Sequence, residues 1–216
     1  MTGVTSRPHA GQRRKPPHER RAEILATAAS IAVSEGLHHV TARRVADALG
    51  VFPGLVSHYF ITADDLVAAA FAHAAEDERD EVFGHAQTAG EPVEQIQRLL
   101  TEWLRADRDA ISLLWLDAWQ ASRRRPALLA EVTRQMNKDY DRLRPIIEAG
   151  VAIGQFRLSD PGAAGLRIMA LTDAMCIQAA IRTTIDYSHV REMVISGAER
   201  ELGLAPGTLD GSRIRS

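Results

Sequence analysis

Thr41, Arg43, Arg44, Ser57, His58 and Tyr59 lie within one short stretch near the front of a 216-residue chain. Guanidinium and hydroxyl groups are donors that suit phosphate oxygens, and an imidazole can donate to or accept from the edge of a base. A second group, Trp103, Trp115 and Trp119 with Asp117, lies further on, and Met169 and Asp173 sit in an apolar segment. Tryptophan faces beside a buried carboxylate can hold a cationic or quaternary ammonium group. Tryptophans at helical spacing are nonetheless more often core than cage, and Asp117 points away from the face that Trp115 and Trp119 share. His73, Glu76 and Asp77 stand at helical metal-ligand spacing, but such residues on a solvated face are far commoner than metal sites, so no metal is expected. The chain has no Gly-x-Ser-x-Gly elbow, no phosphate-cradling glycine loop, no His-Glu-x-x-His and no paired Cys motif, which argues against an enzyme.

The front residues need a scaffold, and the spacing around them predicts one. Ala42, Val45, Ala46 and Leu49 recur on one helical face while Arg43, Arg44 and Asp47 fall on the other. Thr41 is placed to cap that helix, and Gly50 can take the left-handed conformation that ends it. A second helix starts about Pro53, with Val56 and Phe60 inward and Gly54, Leu55, Ser57, His58 and Tyr59 on or near an open face. Two short helices hinged in this way form a helix-turn-helix, whose second helix can lie in the major groove of DNA. Leu55 can meet a thymine methyl but cannot make a bidentate bond to guanine. Phe52 precedes Pro53 where a capping oxygen would serve the helix better, so it is expected to pack or to touch DNA.

Composition agrees with an all-α protein: alanine, leucine, arginine and glutamate are abundant, and no alternating β-branched run is convincing. The net charge is −2, but residues 1–60 carry a balance of +4 and the remainder −6. A basic front can neutralise phosphates while an acidic body is held facing away. The single Cys176 rules out an internal disulfide framework and a Cys-based zinc site. No signal peptide or membrane span is expected, which fits a cytoplasmic protein with no membrane partner.

The chain is expected to divide into a disordered basic arm (1–17, with Arg13, Arg14 and Lys15), a helix-turn-helix domain (18–65), a helical bundle (66–204) and a flexible tail (205–216). A first helix is expected over about 19–35, and the bundle helices over about 63–86, 91–105, 108–121, 126–153, 160–184 and 188–202. Pro145 should kink the longest of these, since the stripe Leu129, Val132, Met136, Tyr140, Leu143, Ile147 and Gly150 keeps its spacing across it. Gly165, Ala170, Ala174, Ile177 and Ile181, with Met193 and Gly197, offer small and apolar surface for helix pairing between two chains.

The run Gly54-Leu55-Val56-Ser57-His58-Tyr59-Phe60, followed by Thr62-Ala63-Asp64-Asp65-Leu66, resembles the recognition helix and next helix start of the TetR family of bacterial transcriptional regulators. The stretch Gly150-Val-Ala-Ile-Gly154-Gln155-Phe156, then Asp160-Pro161-Gly162-Ala163-Ala164, is similar to the C-terminal domain of its BetI-like branch, and the resemblance spans most of residues 19–204. It implies that Thr41 and Tyr59, with Arg44, hold phosphates, while Gly54, Leu55, Ser57 and His58 approach bases or sugar-phosphate. Ala63 stands where many members place a phosphate-binding lysine. The resemblance further implies a homodimeric repressor on a palindromic operator, without a cofactor, released by a small-molecule effector, with choline-like cations known for part of the branch. The alternatives are a ligand-independent regulator or activator and, further off, an enzyme on a helical scaffold.

Overall fold

Proline placed in a first helical turn begins most of the long helices of this chain, because its missing N–H is one the helix leaves free anyway. The computed structural model describes residues 16–181 and 187–210, with the side chains of Ala106, Ile181 and Tyr187 outside that description. Its helices are α1 (Pro17–Glu35), α2 (Ala42–Leu49), α3 (Pro53–Tyr59), α4 (Ala63–Gln87), α5 (Pro92–Trp103), α6 (Asp109–Ser122), α7 (Pro126–Ala152), α8 (Pro161–Ile181) and α9 (Tyr187–Leu202). Short 3-10 turns at Leu37–His39 and Ala106–Arg108 join α1 to α2 and α5 to α6. The described residues form an all-α fold with no strand.

Local chemistry sets the ends. The Thr41 hydroxyl accepts from the Arg44 N–H at 3.1 Å, and Gly50 closes α2 at φ 66°, with the Val51 N–H reaching back to the Ala46 carbonyl. Thr62 and Asp65 exchange hydrogen bonds at 3.0 and 3.2 Å, a reciprocal cap that starts α4. α7 runs unbroken through Pro145, so the proline does not divide it. The bond that Pro145 removes belongs to the Asp141 carbonyl, and Asp141, Arg142, Arg144 and Pro145 are all exposed, so water can replace it. Leu128, not Leu129, enters the core at the start of that helix, where Leu129 is 51% exposed.

Two apolar cores stack along the molecule. The upper one joins Ile24 and Ala28 of α1, Val45 of α2 and Val56 of α3 to Leu66 and Phe71 of α4, Leu114 of α6 and Val132 of α7. The lower one holds Val82 and Phe83 of α4, Leu99 of α5, Leu143 and Ile147 of α7, Ile168 of α8 and Val194 of α9. α4 runs through both. The upper core is therefore shared between the front helices and the body, and a boundary at 65/66 falls inside α4 rather than in a linker.

Residues 1–15 of the expected basic arm and the later half of the expected tail lie outside the described residues, while Pro16 and Pro17, expected in the arm, cap and begin α1. Residues 205–210 are held against α9: Leu209 is 1% exposed, and its N–H donates to Glu199 Oε1 at 2.8 Å. That part of the chain is pinned where a flexible tail was expected.

Candidate nucleic-acid interface and internal cavity

α3 is only two turns long, and Val56 is its fully buried anchor. Around that anchor Pro53, Gly54, Ser57 and His58 are exposed, while Leu55 and Tyr59 are half-buried. Tyr59 packs beside the upper core and meets the His58 ring edge-on at 5.3 Å. Phe52 does not pack: it is 87% exposed at the start of α3, and Ile61, just past its end, is 91% exposed. The sequence reading missed Ile61; an apolar residue between Phe60 and the cap of α4 was its only signal. Thr41 and Arg43 are exposed on the neighbouring helix. Arg44 is engaged, giving two hydrogen bonds at 2.9 and 2.5 Å to the Glu35 carboxylate. That pairing holds Glu35 below the usual carboxylate range. Arg21 lies over the Phe60 ring at 5.1 Å, tying α1 to the end of α3.

A cavity of about 80 Å³ lies between the two cores, and its wall includes Trp103, Trp115, Met169 and Asp173. Four of the six expected ligand residues thus meet. Asp117 and Trp119 do not join them. Asp117 Oδ2 instead accepts the Leu37 N–H at 3.3 Å and lines a cleft between α6 and the 3-10 turn after α1, opposite Arg123, Arg124 and Arg125. Trp119 packs on the upper core, 5.8 Å from Trp115 between ring centres.

Sequence reading missed the charge around the cavity. Glu78, Arg79 and Asp139 line it too, and Cys176 completes one side. Arg79, 5% exposed, bonds to Asp139 Oδ1 at 2.5 Å and to Gln135. The Trp115 indole N–H donates to Glu78 Oε2 at 3.1 Å. Asp173 has no hydrogen bond or cationic partner among the described residues. Burial pushes Glu78 up to about 7 and Asp139 to about 6, although Arg79 acts to lower both; burial and then Asp139 push Asp173 up to about 6. Burial likewise pushes the Cys176 thiol up to about 12. A charged residue inside an apolar stripe was the available signal: Arg79 stands between Ala75 and Phe83, and Asp139 between Met136 and Leu143.

The residues expected at a pairing face separate into two groups. Gly165 is buried against Tyr140 and Ile147 of α7, and Gly197 against Leu171 of α8, so both serve packing within the chain. Ala170 is exposed and Ala174 half-buried on α8, with Leu166 57%, Ile177 55% and, on α9, Met193 44% exposed. The side chain of Ile181 lies outside the described residues. Glu76 bonds to Lys138 and Gln135 of α7 while His73 faces Asp77 at 3.6 Å, so that trio does not converge. Among the described residues no group is placed to hold a metal ion, and no single helix is long and apolar enough to cross a membrane.

A helix-turn-helix on a helical body with an internal cavity defines a DNA-binding regulator of transcription. The family model "BetI-type transcriptional repressor, C-terminal" matches residues 92–203, more than half of the chain, and "Bacterial regulatory proteins, tetR family" matches residues 24–70. The chain belongs to the TetR family of transcriptional regulators, with a BetI-type C-terminal domain. It is 29% identical over 148 residues to the HTH-type transcriptional repressor KstR2 of Mycolicibacterium smegmatis, covering 65% of this chain and 69% of that one. Its fold is similar to that of a TetR-family regulator from Rhodococcus sp. (TM-score 0.72, 20% identity, 86% of this chain and 99% of that chain). It is also similar to a transcriptional regulator from Saccharomonospora viridis in complex with choline (TM-score 0.69, 23% identity, 84% and 96%).

Proposed function

We propose that this regulator is a cytoplasmic homodimeric repressor that holds a palindromic operator through two α3 helices and releases it when a small organic cation binds in the body. The unpartnered Asp173 carboxylate, in a cavity with two tryptophans and two further carboxylates against one arginine, carries the effector part of this reading. A positive group there gains a counter-ion and aromatic faces together. Thr41, Arg43 and Tyr59 are the phosphate contacts, with Arg44 joining once it leaves Glu35. Gly54, Leu55, Ser57 and His58 face the bases, and Phe52 and Pro53 sit at the edge of the groove. Leu55 and Phe52 bring apolar rather than bidentate contacts, so specificity leans on methyl groups and DNA shape.

Pairing uses the apolar ridge of Leu166, Ala170, Ala174 and Ile177 with Met193 alongside. The shared upper core supports a mechanical link: a ligand that widens the seam between the two cores shifts α4, α1 packs on α4, and α2 with α3 is carried on α1. Footprinting on the DNA upstream of its own gene tests the reading, followed by addition of choline and related amines. Protection of a two-fold symmetric site that these cations relieve is the expected result; no protection at low salt would remove the repressor reading.

A further inference from the structure

The cavity of about 80 Å³ is far below the roughly 300–1,000 Å³ of an ordinary ligand pocket. It does not end in solid packing. Glu78, half-buried on α4, lines it from one side and on the other lines a groove of about 550 Å³ bounded by α1, α4 and the start of α6. Glu78 is the one residue that lines both. Glu78 Oε2 takes the Trp115 N–H, and Oε1 accepts no hydrogen bond among the described residues. Beyond Glu78, Ala29 and Val33 of α1 and Ile111 of α6 give the groove an apolar lining. Its charge is acidic. Asp77, Glu78, Glu81 and Asp107 outnumber Arg105 and Arg108; Arg105 pairs with Asp107 and Glu102 and Arg108 with Glu81 and Glu102, which leaves Asp77 and Glu78 as the surplus. His73 on the same wall faces Asp77.

We propose that cavity and groove are one compound effector site, divided in the empty protein by Glu78, and that it takes an organic cation bearing an apolar tail. The cationic group sits among Trp103, Trp115 and Asp173, Glu78 turns onto it, and the tail runs out along α1. This rests on the cationic-effector reading above and adds the tail, the route and the residue that opens it. A tail in the groove lies directly on α1, so occupation reaches the DNA-reading helices without crossing the body.

The test uses the full chain, titrated calorimetrically with tetramethylammonium, with decyltrimethylammonium below its micelle concentration, and with decanoate. Decyltrimethylammonium should bind about tenfold or more tightly than tetramethylammonium, since each buried methylene adds affinity. Ser30 is exposed on the groove wall, so Ser30→Trp should fold normally. It should erase the tail's gain and leave tetramethylammonium within about twofold, because it touches only the groove. Glu78→Gln, which keeps an acceptor for Trp115, should weaken both cations about fivefold or more with an unchanged circular dichroism spectrum. Equal affinity for the two cations, or a tail gain that survives Ser30→Trp, overturns the compound site while leaving a cation cavity standing. Decanoate binding as tightly as the cation overturns the charge argument. Binding of neither cation removes the cationic reading, and the compound site falls with it.

Discussion

Arg44 is held by the carboxylate of Glu35, and the phosphate contact proposed for it would have to compete with that pair. Removing that competitor should favour DNA: Glu35→Gln is expected to tighten operator binding about two- to fivefold, the modest effect of a solvent-screened ion pair. A fluorescence-anisotropy titration in which Glu35→Gln binds no better than wild type would show that Arg44 does not reach the duplex. The proposed role of Tyr59 is different: its ring is part of the packing, which leaves its hydroxyl as the group proposed to position a phosphate. Tyr59→Phe should weaken every operator by a similar factor and leave the ranking of operators unchanged. A change of ranking would make it a base reader instead. Glu78 carries a proton question. Its folded value of about 7 lies above its ordinary 4.5, chiefly through burial, with Asp139 raising it and Trp115, Arg108 and Arg79 lowering it. The folded state therefore binds more protons than the unfolded one between those values, and the contribution of Glu78 to stability falls as pH rises through that window. Urea unfolding of Glu78→Gln from pH 4.5 to 7 should show a shallower decline than wild type. Parallel profiles would place the ionised carboxylate comfortably in its site.

At the scale of elements, glycine shows where helices are forced together. A Cβ on Gly150 would stand 2.2 Å from the Phe156 ring, which is 2% exposed and folds back over the end of α7. Gly150→Ala should cost about 1–3 kcal/mol as the ring is displaced, measurable as a lower urea midpoint with the slope preserved. Gly150 stood in the predicted stripe as an inward position, but the stripe carried no sign of what covered it. Caps were the most legible features of the chain: Thr41, Gly50 and Thr62 with Asp65 all appear where local chemistry puts them, because a cap is decided within a few residues. Pairing surfaces were harder to read. Gly165 and Gly197 have the composition of a contact between chains and the geometry of a contact within one, and only the relative placement of α7, α8 and α9 separates the two. The tryptophans divided for the same reason. Trp115 and Trp119 share a helical face, yet only Trp115 lines the cavity with Met169 and Asp173 of α8.

At the scale of the whole molecule, the ridge on α8 and α9 can be altered without disturbing either core. Leu166 and Ile177 are more than half exposed, so Leu166→Arg with Ile177→Arg should leave the melting of the chain's helices intact while converting a sedimenting dimer to a monomer. A double variant that still sediments as a dimer would move the interface elsewhere. The acidic body and basic front read from charge alone gain a structural counterpart in the shared upper core, which makes the front helices an extension of the body rather than a tethered module. That continuity rests on long-range packing of α1 and α4, which periodicity within each helix cannot specify. One further property follows from the wall of the internal cavity. Cys176 is the chain's only cysteine, 9% exposed there, with its thiol pushed up to about 12. The resting protein should therefore react sluggishly with a maleimide dye, and any opening of the seam should be recorded as labelling speed. The protein thus comes with its own chemical clock, readable by mass spectrometry on the unmodified chain, with no reporter group to be engineered in.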